Sequence, residues 1–462
     1  MPSHLSRRAF LKRASALSLA GAATPFVMNL AAMGEAAAAT ATDYKALVCV
    51  FLYGGNDYAN TLVPYDNTQY AIYQAQRPGL AYAQSALTTT ALTPSVPLPN
   101  GAQYALAPEL AKLLPLFNAG NLAVLLNAGT LVQPTTKAQY QAQVSLPPKL
   151  LSHNDQQSYW QASSPEGAAT GWGGRIGDLL QSGNGTATLT CINVTGNAAF
   201  LTGQAAVQYS VTPAGPIALN ARTSLQGSTA AASLLQSLIS GGGTHEFEAA
   251  LGSIGSRALD LYSQVSAALG QAPVTTTVFP TAADPQSSLG AQLQLVAKLI
   301  SVSSQLGAKR QVFFVSTGRY DTHAGLVTLH PTLLTNLADA LRAFYDTTVE
   351  LGVASQVTTF TGSDFGRALT ANNDGTDHGW GSMHFVLGGA VRGGRYYGIN
   401  PTLANGGPDD IGQGRLIPTL SVDQYAATLA SWFGVSNSDL VTVVPNIGNY
   451  AGSALGTNVG FV

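Results

Sequence analysis

The feature that most constrains the fold is a set of short, continuous apolar segments rich in β-branched and aromatic residues. Residues 46–53 read ALVCVFLY and are followed by Gly54 and Gly55. A strand with one solvent-facing side alternates apolar and polar residues, whereas an uninterrupted run is typical of a strand that is buried on both faces. Five later segments have the same character: 121–127, 188–194, 311–316, 356–361 and 384–388.

Helical periodicity fills the intervals between these apolar segments. The clearest helix begins after Ser421, which has the capping-box partner Gln424 three residues later, and it ends at Gly434. Buried strands that alternate with helices predict an α/β fold with a mostly parallel sheet covered on both faces. The other predicted helices are 107–119, 172–181, 247–269, 289–306 and 328–351, and long loops are predicted at 81–101, 195–229 and 273–288.

The first forty residues predict a twin-arginine export signal. Arg7 and Arg8 precede an apolar stretch over 14–28, and small residues around 36–39 offer an A-x-A cleavage site. The alternative, an ordinary basic helix start, does not account for this order of charge, apolar core and cleavage site. We therefore expect the twin-arginine export machinery to carry this protein to the periplasm or the exterior, and residues 41–462 to form a single domain.

Charge and cysteine content exclude several classes of function. Charged residues make up 10% of the 462 residues, against roughly 25% in ordinary soluble proteins, and the net charge is −2, which gives no electrostatic basis for binding nucleic acid. No run of 18 or more apolar residues follows the signal, so no integral membrane segment is expected after its removal. Cys49 and Cys191 each lie inside an apolar run, which favours buried free thiols over a disulfide. No dinucleotide, haem or iron-sulfur motif supports a redox cofactor.

Acidic residues and histidines follow the apolar segments in four glycine-rich loops. Because ligands bind beyond the carboxyl ends of the strands in such a sheet, these loops are expected to meet at one edge. Imidazole nitrogens and carboxylate oxygens together favour a divalent metal, with zinc preferred and manganese or iron as alternatives. A single aspartate in such a loop can also be a helix N-cap or a turn former. The candidate metal ligands are Asp57, Asp321, His323, Asp364 and His378.

Three further residues are candidates for catalysis. Arg319 and Arg367 follow two of the same strands, and a guanidinium can clamp a pair of phosphate or sulfate oxygens, although surface salt bridges are an equal alternative. Ser152 precedes a short helical stretch, where the helix dipole and free N–H groups favour a developing alkoxide or a bound anion. The simpler interpretation of Ser152 is an N-cap.

Six motifs resemble the exported family called "domain of unknown function 1501". They are GGNDYANTLVPY (54–65), SHNDQQSYWQ (152–161), TGWGGR (170–175), RYDTHAG (319–325), SDFGR (363–367) and GTDHGWG (375–381), and LGGAVRGGRYYG follows them. The resemblance covers nearly the whole of the predicted mature chain. That family looks like a branch of the alkaline phosphatase and sulfatase superfamily. The resemblance therefore implies a three-layer α/β/α sandwich and a metal-assisted site for phosphate or sulfate esters.

The resemblance also implies roles for the candidate ligands. Asp57 resembles the superfamily's first metal-binding aspartate, and Asp321 and His323 resemble its mid-chain ligands. Asp364 resembles the aspartate of an Asp-His pair, and His378 resembles the late histidine ligand.

The sequence departs from the superfamily's pattern in three respects. Asp321 and His323 are closer together than the phosphatase ligands, and Phe365 stands where the phosphatase pair has histidine. The formylglycine signature of sulfatases is absent, while Ser152 falls near the superfamily's nucleophile position at a helix start. One metal site is therefore expected, and a second site would be weakened or lost.

These observations lead to two hypotheses about function. The first is an exported, metal-dependent hydrolase or transferase that acts on a small-molecule or polymer-borne anionic ester of phosphate or sulfate. In this hypothesis Ser152 attacks the ester, and Arg319 or Arg367 stabilises the charge that develops on the transferred group. The second is a non-catalytic periplasmic or extracellular protein that keeps the fold and serves binding or assembly.

Overall fold

A mixed, mostly parallel β-sheet forms the centre of the computed structural model, which describes residues 43–196, 198–219, 223–241, 245–281 and 288–462. The predicted export signal lies outside the described residues. The strands are β1 (Lys45–Leu52), β2 (Leu62–Pro64), β3 (Tyr104–Leu106), β4 (Leu122–Gly129), β5 (Cys191–Asn193), β6 (Tyr209–Thr212), β7 (Gly215–Pro216), β8 (Arg310–Thr317), β9 (Val357–Ser363), β10 (Arg367–Ala371), β11 (Thr376–His378), β12 (Ser382–Leu387), β13 (Tyr396–Tyr397) and β14 (Leu420–Ser421).

The main sheet has the strand order β13-β4-β12-β9-β1-β8-β5-β6-β7, and β14 pairs with the end of β4. At its centre β1 runs parallel to both β8 and β9. The exceptions to the parallel arrangement are β12, which is antiparallel to β4 and β9, and the β6–β7 hairpin at one edge. Two further pairs, β2–β3 and β10–β11, lie outside the main sheet and are antiparallel.

Helices cover both faces of this sheet. Along β1, Val48 and Val50 pack on one face with α2, α8 and α9, while Cys49 and Phe51 pack on the other face with α5, α10 and α11. This is why the strand has no polar position: both of its faces are buried. The helices are α1 (Asn67–Gln76), α2 (Leu114–Asn118), α3 (Lys137–Gln141), α4 (His153–Ala162), α5 (Trp172–Leu180), α6 (Thr229–Ser240), α7 (Glu246–Leu269), α8 (Leu289–Ser301), α9 (Leu326–Glu350), α10 (Val422–Phe433) and α11 (Leu440–Val443).

The predicted α/β fold, a three-layer α/β/α sandwich with a mostly parallel sheet, is confirmed. Each of the six predicted strands is present, although the segment 188–194 contributes only three strand residues. The capping box of Ser421 and Gln424 and the stop at Gly434 are observed at the ends of α10. The two cysteines are free and buried, as predicted. The extent of the domain, 41–462, stays a prediction.

Two predicted elements differ in detail. The helix predicted over 107–119 is a 3-10 segment, Pro108–Leu113, followed by the short α2, because Pro115 inside this range has no N–H to continue the helical hydrogen bonds. The helix predicted over 289–306 ends at Ser301, after which the chain turns towards Gly307, whose φ of +63° requires a left-handed backbone. Among the described residues no helix is both long and apolar enough to span a bilayer.

The parallel centre of the sheet brings three loops to one edge. Strands β1, β8 and β9 end side by side, since Leu52 pairs with Thr317 on one side and with Ser363 on the other. The loops that leave these strands therefore start next to one another. Gly54 lies so close to the loop after β8 that a Cβ at this position would clash with the backbone nitrogen of Asp321.

Candidate metal centre

Two histidines and an aspartate bring their ligand atoms within 4.8 Å of one another at this edge of the sheet. His153 is the first residue of α4, Asp321 lies in the loop after β8, and His378 is the last residue of β11. All three are at least partly exposed, so the space between them is accessible from solvent. The cluster is thus assembled from three segments that are distant in sequence.

The ring of His153 is oriented by a buried carboxylate. Its Nδ1 lies 2.6 Å from Oδ2 of Asp364, and its Nε2 lies 3.4 Å from Oδ2 of Asp321. The hydrogen bond to Asp364 raises the pKa of His153 against the opposing effect of burial. Because Nδ1 carries the proton in this pair, the lone pair of Nε2 points into the cluster when His153 is neutral.

Asp364 itself is fixed by two donors on the same helix. The amide Nε2 of Gln157, one turn after His153, donates to Oδ2 of Asp364 at 2.8 Å, so both helix residues bond to the same oxygen. Asp364 is 1% exposed, and its Oδ1 has no hydrogen-bond partner among the described residues. A buried carboxylate held in this way acts on the cluster through His153.

His378 is oriented in the same manner by a backbone carbonyl. Its Nδ1 lies 2.7 Å from the carbonyl oxygen of Leu151, and its Nε2 lies 3.2 Å from Oδ1 of Asp321. Burial lowers the pKa of His378, which favours the neutral ring. The antiparallel pair β10–β11 places His378 directly opposite Arg367, so the ring and the guanidinium approach Asp321 from neighbouring strands.

His323 extends the cluster on its exposed side. Its Nε2 lies 2.9 Å from Nε2 of His378 and 3.1 Å from Oδ1 of Asp321, and its Nδ1 lies 3.5 Å from Oδ1 of Asp377. Two nitrogen ligands on a tetrahedral zinc, each ~2.0–2.1 Å from the metal, are about 3.3 Å apart. The separation of the two Nε2 atoms is therefore close to that of a pair of metal ligands.

Arg367 holds the carboxylate of Asp321 in place. Its guanidinium is fully buried and bonds to Oδ1 of Asp321 at 2.5 Å, to the carbonyl of Gly54 at 3.2 Å and to the carbonyl and hydroxyl of Thr376. Burial would raise the pKa of the Asp321 carboxyl, but the hydrogen bond and charge of Arg367 outweigh it, and the pKa is lowered. Because its donors are already bonded to the protein, Arg367 positions Asp321 and is not free to clamp an ester.

The other two predicted catalytic residues border the cluster. Arg319 is exposed, adopts a left-handed backbone with φ of +74°, and has no hydrogen bond or ion pair with the part of the chain that the structure describes. Ser152 is the N-cap residue of α4, but its hydroxyl donates to Oδ2 of Asp155 at 2.9 Å and caps no backbone N–H. Ser152 lies between Leu151 and His153, which both contact the cluster.

Asp57, which we predicted as a metal ligand, lies instead in a fully buried ion pair. Its two oxygens accept from the two terminal nitrogens of Arg77 at 2.5 and 2.7 Å, and both side chains have no exposed surface. The guanidinium also bonds to Oδ1 of Asn60 and to the carbonyls of Leu369 and Ala368. With both oxygens committed to Arg77, this carboxylate links the loop after β1 to α1 and β10.

His153 is the site residue that the sequence analysis did not select. The signal for it was present, because it stands in the SHND motif at the predicted start of a helix next to Ser152. Phe365 packs against two of the histidines, with ring centroids 4.9 Å from His153 and 4.6 Å from His378. One buried aromatic ring therefore borders both histidines of the cluster.

The fold and the site define an α/β sandwich protein with a histidine- and carboxylate-based candidate metal centre. A family model described as "Protein of unknown function (DUF1501)" matches residues 44–442, and the chain belongs to this family. A search of curated proteins gave no match.

Comparison with solved structures gives distant likenesses, of which three follow. They are the PsFucS1 sulfatase from Pseudoalteromonas sp. (10% identity, 90% of this chain and 73% of that chain, TM-score 0.35), Ps i-CgsB in complex with k-i-k-neocarrahexaose (7%, 86% and 74%, TM-score 0.36), and a Bacteroides thetaiotaomicron protein described with the metabolism of multiple glycosaminoglycans (11%, 90% and 75%, TM-score 0.34). At these TM-scores the likenesses carry no argument about site or substrate.

Proposed function

We propose that this protein is a metal-dependent hydrolase or transferase of phosphate or sulfate esters. The observation that carries the proposal is the convergence of the ligand atoms of His153, Asp321 and His378 within 4.8 Å. Each histidine has its Nδ1 engaged by an acceptor outside the cluster, so that the Nε2 atoms are the ones turned towards Asp321. Metal-binding histidines are oriented in this way by carboxylates and backbone carbonyls.

The residues present fit a divalent metal with a preference for nitrogen ligands. His153, Asp321 and His378 would hold it, and His323 is placed to supply a fourth ligand. Two or three imidazoles with one carboxylate favour zinc over calcium or magnesium, with manganese and iron as alternatives. When bound, such a metal supplies a Lewis acid next to an anionic ester.

The protein's own groups then have distinct roles around the substrate. Arg319, exposed and without a protein partner in the described chain, binds the anionic group of the ester. Ser152 is the candidate nucleophile, and the Asp155 carboxylate that accepts its hydrogen bond is the group that would take its proton. Asp364 and Arg367 keep His153 and Asp321 in position, and Asp57 stabilises the loop beneath them.

Metal content of the purified chain without residues 1–40 tests this proposal. About one equivalent of zinc is expected after loading, and His153→Ala and His378→Ala should each bind less than about a tenth of that amount. His245→Ala is the matched control, because His245 caps α7 and makes no contact with the cluster. A wild-type protein that retains no transition metal after loading would overturn the proposal.

Turnover of aryl phosphate and aryl sulfate esters separates an enzyme from a metal-binding protein. We expect hydrolysis of at least one of the two by wild type, loss of activity in His378→Ala, and a rise in KM in Arg319→Ala. A second candidate, a non-catalytic binding protein, is favoured by Phe365, which packs on His153 and His378 at the position where the resemblance to the phosphatases predicts a histidine. Metal retention without turnover of either ester would support this second function.

We also propose that the protein is exported by the twin-arginine route, on the basis of residues 1–40. In a bacterial host with that machinery, replacing both Arg7 and Arg8 with lysine should leave the protein in the cytoplasmic fraction. Arg13→Lys, which changes a nearby arginine outside the pair, should not impair export. Undiminished export of the double variant would contradict the proposed route.

A further inference from the structure

An apolar stripe runs along α7, from the C-terminal half of the helix, which packs in the core, to the N-terminal half, which is exposed. Its residues alternate in steps of four and three, which is the spacing of a coiled-coil seam. They are Phe247, Leu251, Ile254, Ala258, Leu261 and Val265. The last two are at most 5% exposed and pack in the core, whereas Phe247, Leu251 and Ile254 are 81%, 65% and 60% exposed. One seam is thus half covered and half bare.

An open apolar cleft lies beside the bare half of this seam. It has a volume of about 270 Å³, and Ile217, Ile239, Ala258, Leu259 and Tyr262 are among its lining residues. The α6–α7 crossing closes its floor, where a Cβ on Gly255 would clash with the carbonyl of Ile239. Ile217, which lines the cleft, is 60% exposed, so that exposed apolar surface continues from the seam into the cleft.

The charges on α7 disfavour a membrane as the occupant of this surface. The helix carries Glu246, Glu248 and Asp260 against the single basic residue Arg257. Anionic lipid surfaces attract clusters of lysine and arginine, so this acidic helix would be repelled. An uncharged seam with coiled-coil spacing is instead complementary to another copy of itself.

We propose that two copies of this chain pair through the exposed halves of α7, in antiparallel orientation about a twofold axis. An axis that passes between Gly252 and Ser253 brings Leu251 opposite Ile254 of the partner subunit. The same axis sets Phe247 opposite the partner subunit's Ala258. The large ring of Phe247 then lies opposite a small residue and occupies the cleft of the partner subunit. Large and small side chains face each other in this way in a well-packed helix interface.

The exposed apolar surface is of the size that such a dimer needs. A large apolar side chain that is about two-thirds exposed contributes on the order of 100 Å². The three exposed seam residues of α7 and the exposed Ile217 of the cleft therefore supply about half of the roughly 800 Å² that each partner buries in a standard interface. The exposed part of the seam is also continuous with its buried part, Leu261 and Val265, which already packs against other parts of the protein. This continuity supports packing of the exposed part as well.

Cysteine cross-linking tests both the pairing and its direction. The two native cysteines are buried and should not form cross-links. A mixture of Leu251→Cys and Ile254→Cys chains should form a disulfide-linked dimer under mild oxidation, well in excess of either variant alone. A stronger cross-link in the single variants would mean a parallel seam and would overturn the antiparallel orientation, and no cross-link in any sample would overturn the interface.

Sedimentation of the wild type and of charged variants provides an independent readout. We expect a wild-type dimer whose dissociation constant rises by more than about tenfold in Phe247→Asp and in Leu251→Lys. Ala249→Lys adds a charge to the opposite face of the same helical turn and should leave the dimer intact; circular dichroism verifies that each variant is folded. A monomeric wild type would refute the proposal, and binding of that monomer to phosphatidylcholine vesicles would identify the stripe as a lipid-facing surface.

Discussion

The carboxylate of Asp364 determines which nitrogen of His153 is available. Its Oδ2 receives both the Nδ1 of His153 and the amide of Gln157, and these two donors lie one turn apart on α4. A charged acceptor at Nδ1 makes Nε2 more basic and fixes the plane of the ring. Asp364, which we predicted as a metal ligand, therefore contributes to the candidate centre through His153 and is not itself one of the three converging groups.

We predict that Asp364→Asn weakens zinc binding by about 10–100-fold, because the amide removes the charge that supports His153 while it preserves the shape of the side chain. Competition with a chromophoric chelator measures the change. Gln157→Met, which removes one hydrogen bond to the same oxygen and keeps the charge, should have a smaller effect. Equal affinities for wild type and Asp364→Asn would show that His153 is not a ligand.

A second buried carboxylate predicts a pH dependence of stability away from the site. Burial raises the pKa of Asp423, at the start of α10, to about 6, against hydrogen bonds from Ser163 and from the backbone of Asn446. Its pKa in the folded state then lies above the unfolded value of 3.8. The stabilising contribution of the protonated group is complete below pH 3.8 and is lost as the pH rises through about 6.

We therefore expect Asp423→Asn to be more stable than wild type at pH 7.5, by at most about 3 kcal/mol, and to lose this advantage at pH 4. Urea unfolding at the two pH values measures the free energy of unfolding. Asp260→Asn, which changes an exposed aspartate on α7, should show no such difference. A stability advantage of Asp423→Asn that grows towards pH 4 would contradict the assigned direction of the pKa shift.

At the scale of single residues, part of the candidate site could be predicted from the sequence. Asp321, His323 and His378 were selected because each follows a strand-like segment or a glycine turn, and they do meet. Asp57 follows a strand in the same way, but whether such a carboxylate faces a metal depends on its partner. That partner, Arg77, lies twenty residues later on a different element, and no local sequence pattern predicts the ion pair.

At the scale of elements, the candidate site depends on how closely the loop after β1 approaches the loop after β8. Gly54 has a φ of +114° and leaves no room for a side chain next to the backbone of Asp321. Only glycine meets both demands at once, the left-handed backbone and the close approach. The two loops are thus coupled, although they belong to segments more than 250 residues apart.

We predict that Gly54→Ala displaces Asp321 and reduces zinc affinity by more than about tenfold, because ligand geometry tolerates little movement. Isothermal titration measures the affinity. Gly79→Ala is a matched control: Gly79 also has a positive φ, of +77°, but nothing lies within 4 Å of the added Cβ. The control should lose about 1 kcal/mol of stability from backbone strain and keep its affinity. An unchanged zinc affinity in Gly54→Ala would show that the loops after β1 and β8 are not coupled.

Strand positions were more predictable than strand directions. An apolar run tells that both faces of a strand are buried, but it contains no information about the direction of its neighbours. The segment 384–388 is a strand as expected, yet β12 runs antiparallel to β4 and β9. The pair β10–β11 was not foreseen, since the two strands have only five and three residues and hold their register partly through the guanidinium of Arg367.

At the scale of the whole molecule, a metal in the candidate site would tie distant segments together. His153 and His378 are separated by more than 200 residues and lie on opposite sides of Asp321 in sequence. A ligand that binds the folded state at 100 times its dissociation constant stabilises it by about 2.7 kcal/mol. Zinc should therefore raise the Tm of the wild type by a few degrees, and a chelator should reverse the rise. Thermal melts of His153→Ala with and without zinc should coincide, and a rise of equal size in that variant would place the stabilising metal elsewhere.

The central position of β1 has a consequence for the way in which the chain is made. This strand leaves the ribosome first, but its two neighbours, β8 and β9, end only at Thr317 and Ser363. At about 5–20 residues per second, synthesis of the roughly 310 residues between Leu52 and Ser363 takes on the order of 15–60 s. Until Thr317 has been made this strand has no partner on either side, and until Ser363 has been made it has none on the side of β9. We therefore expect the nascent chain to expose this apolar segment until the segments that form β8 and β9 have been synthesised.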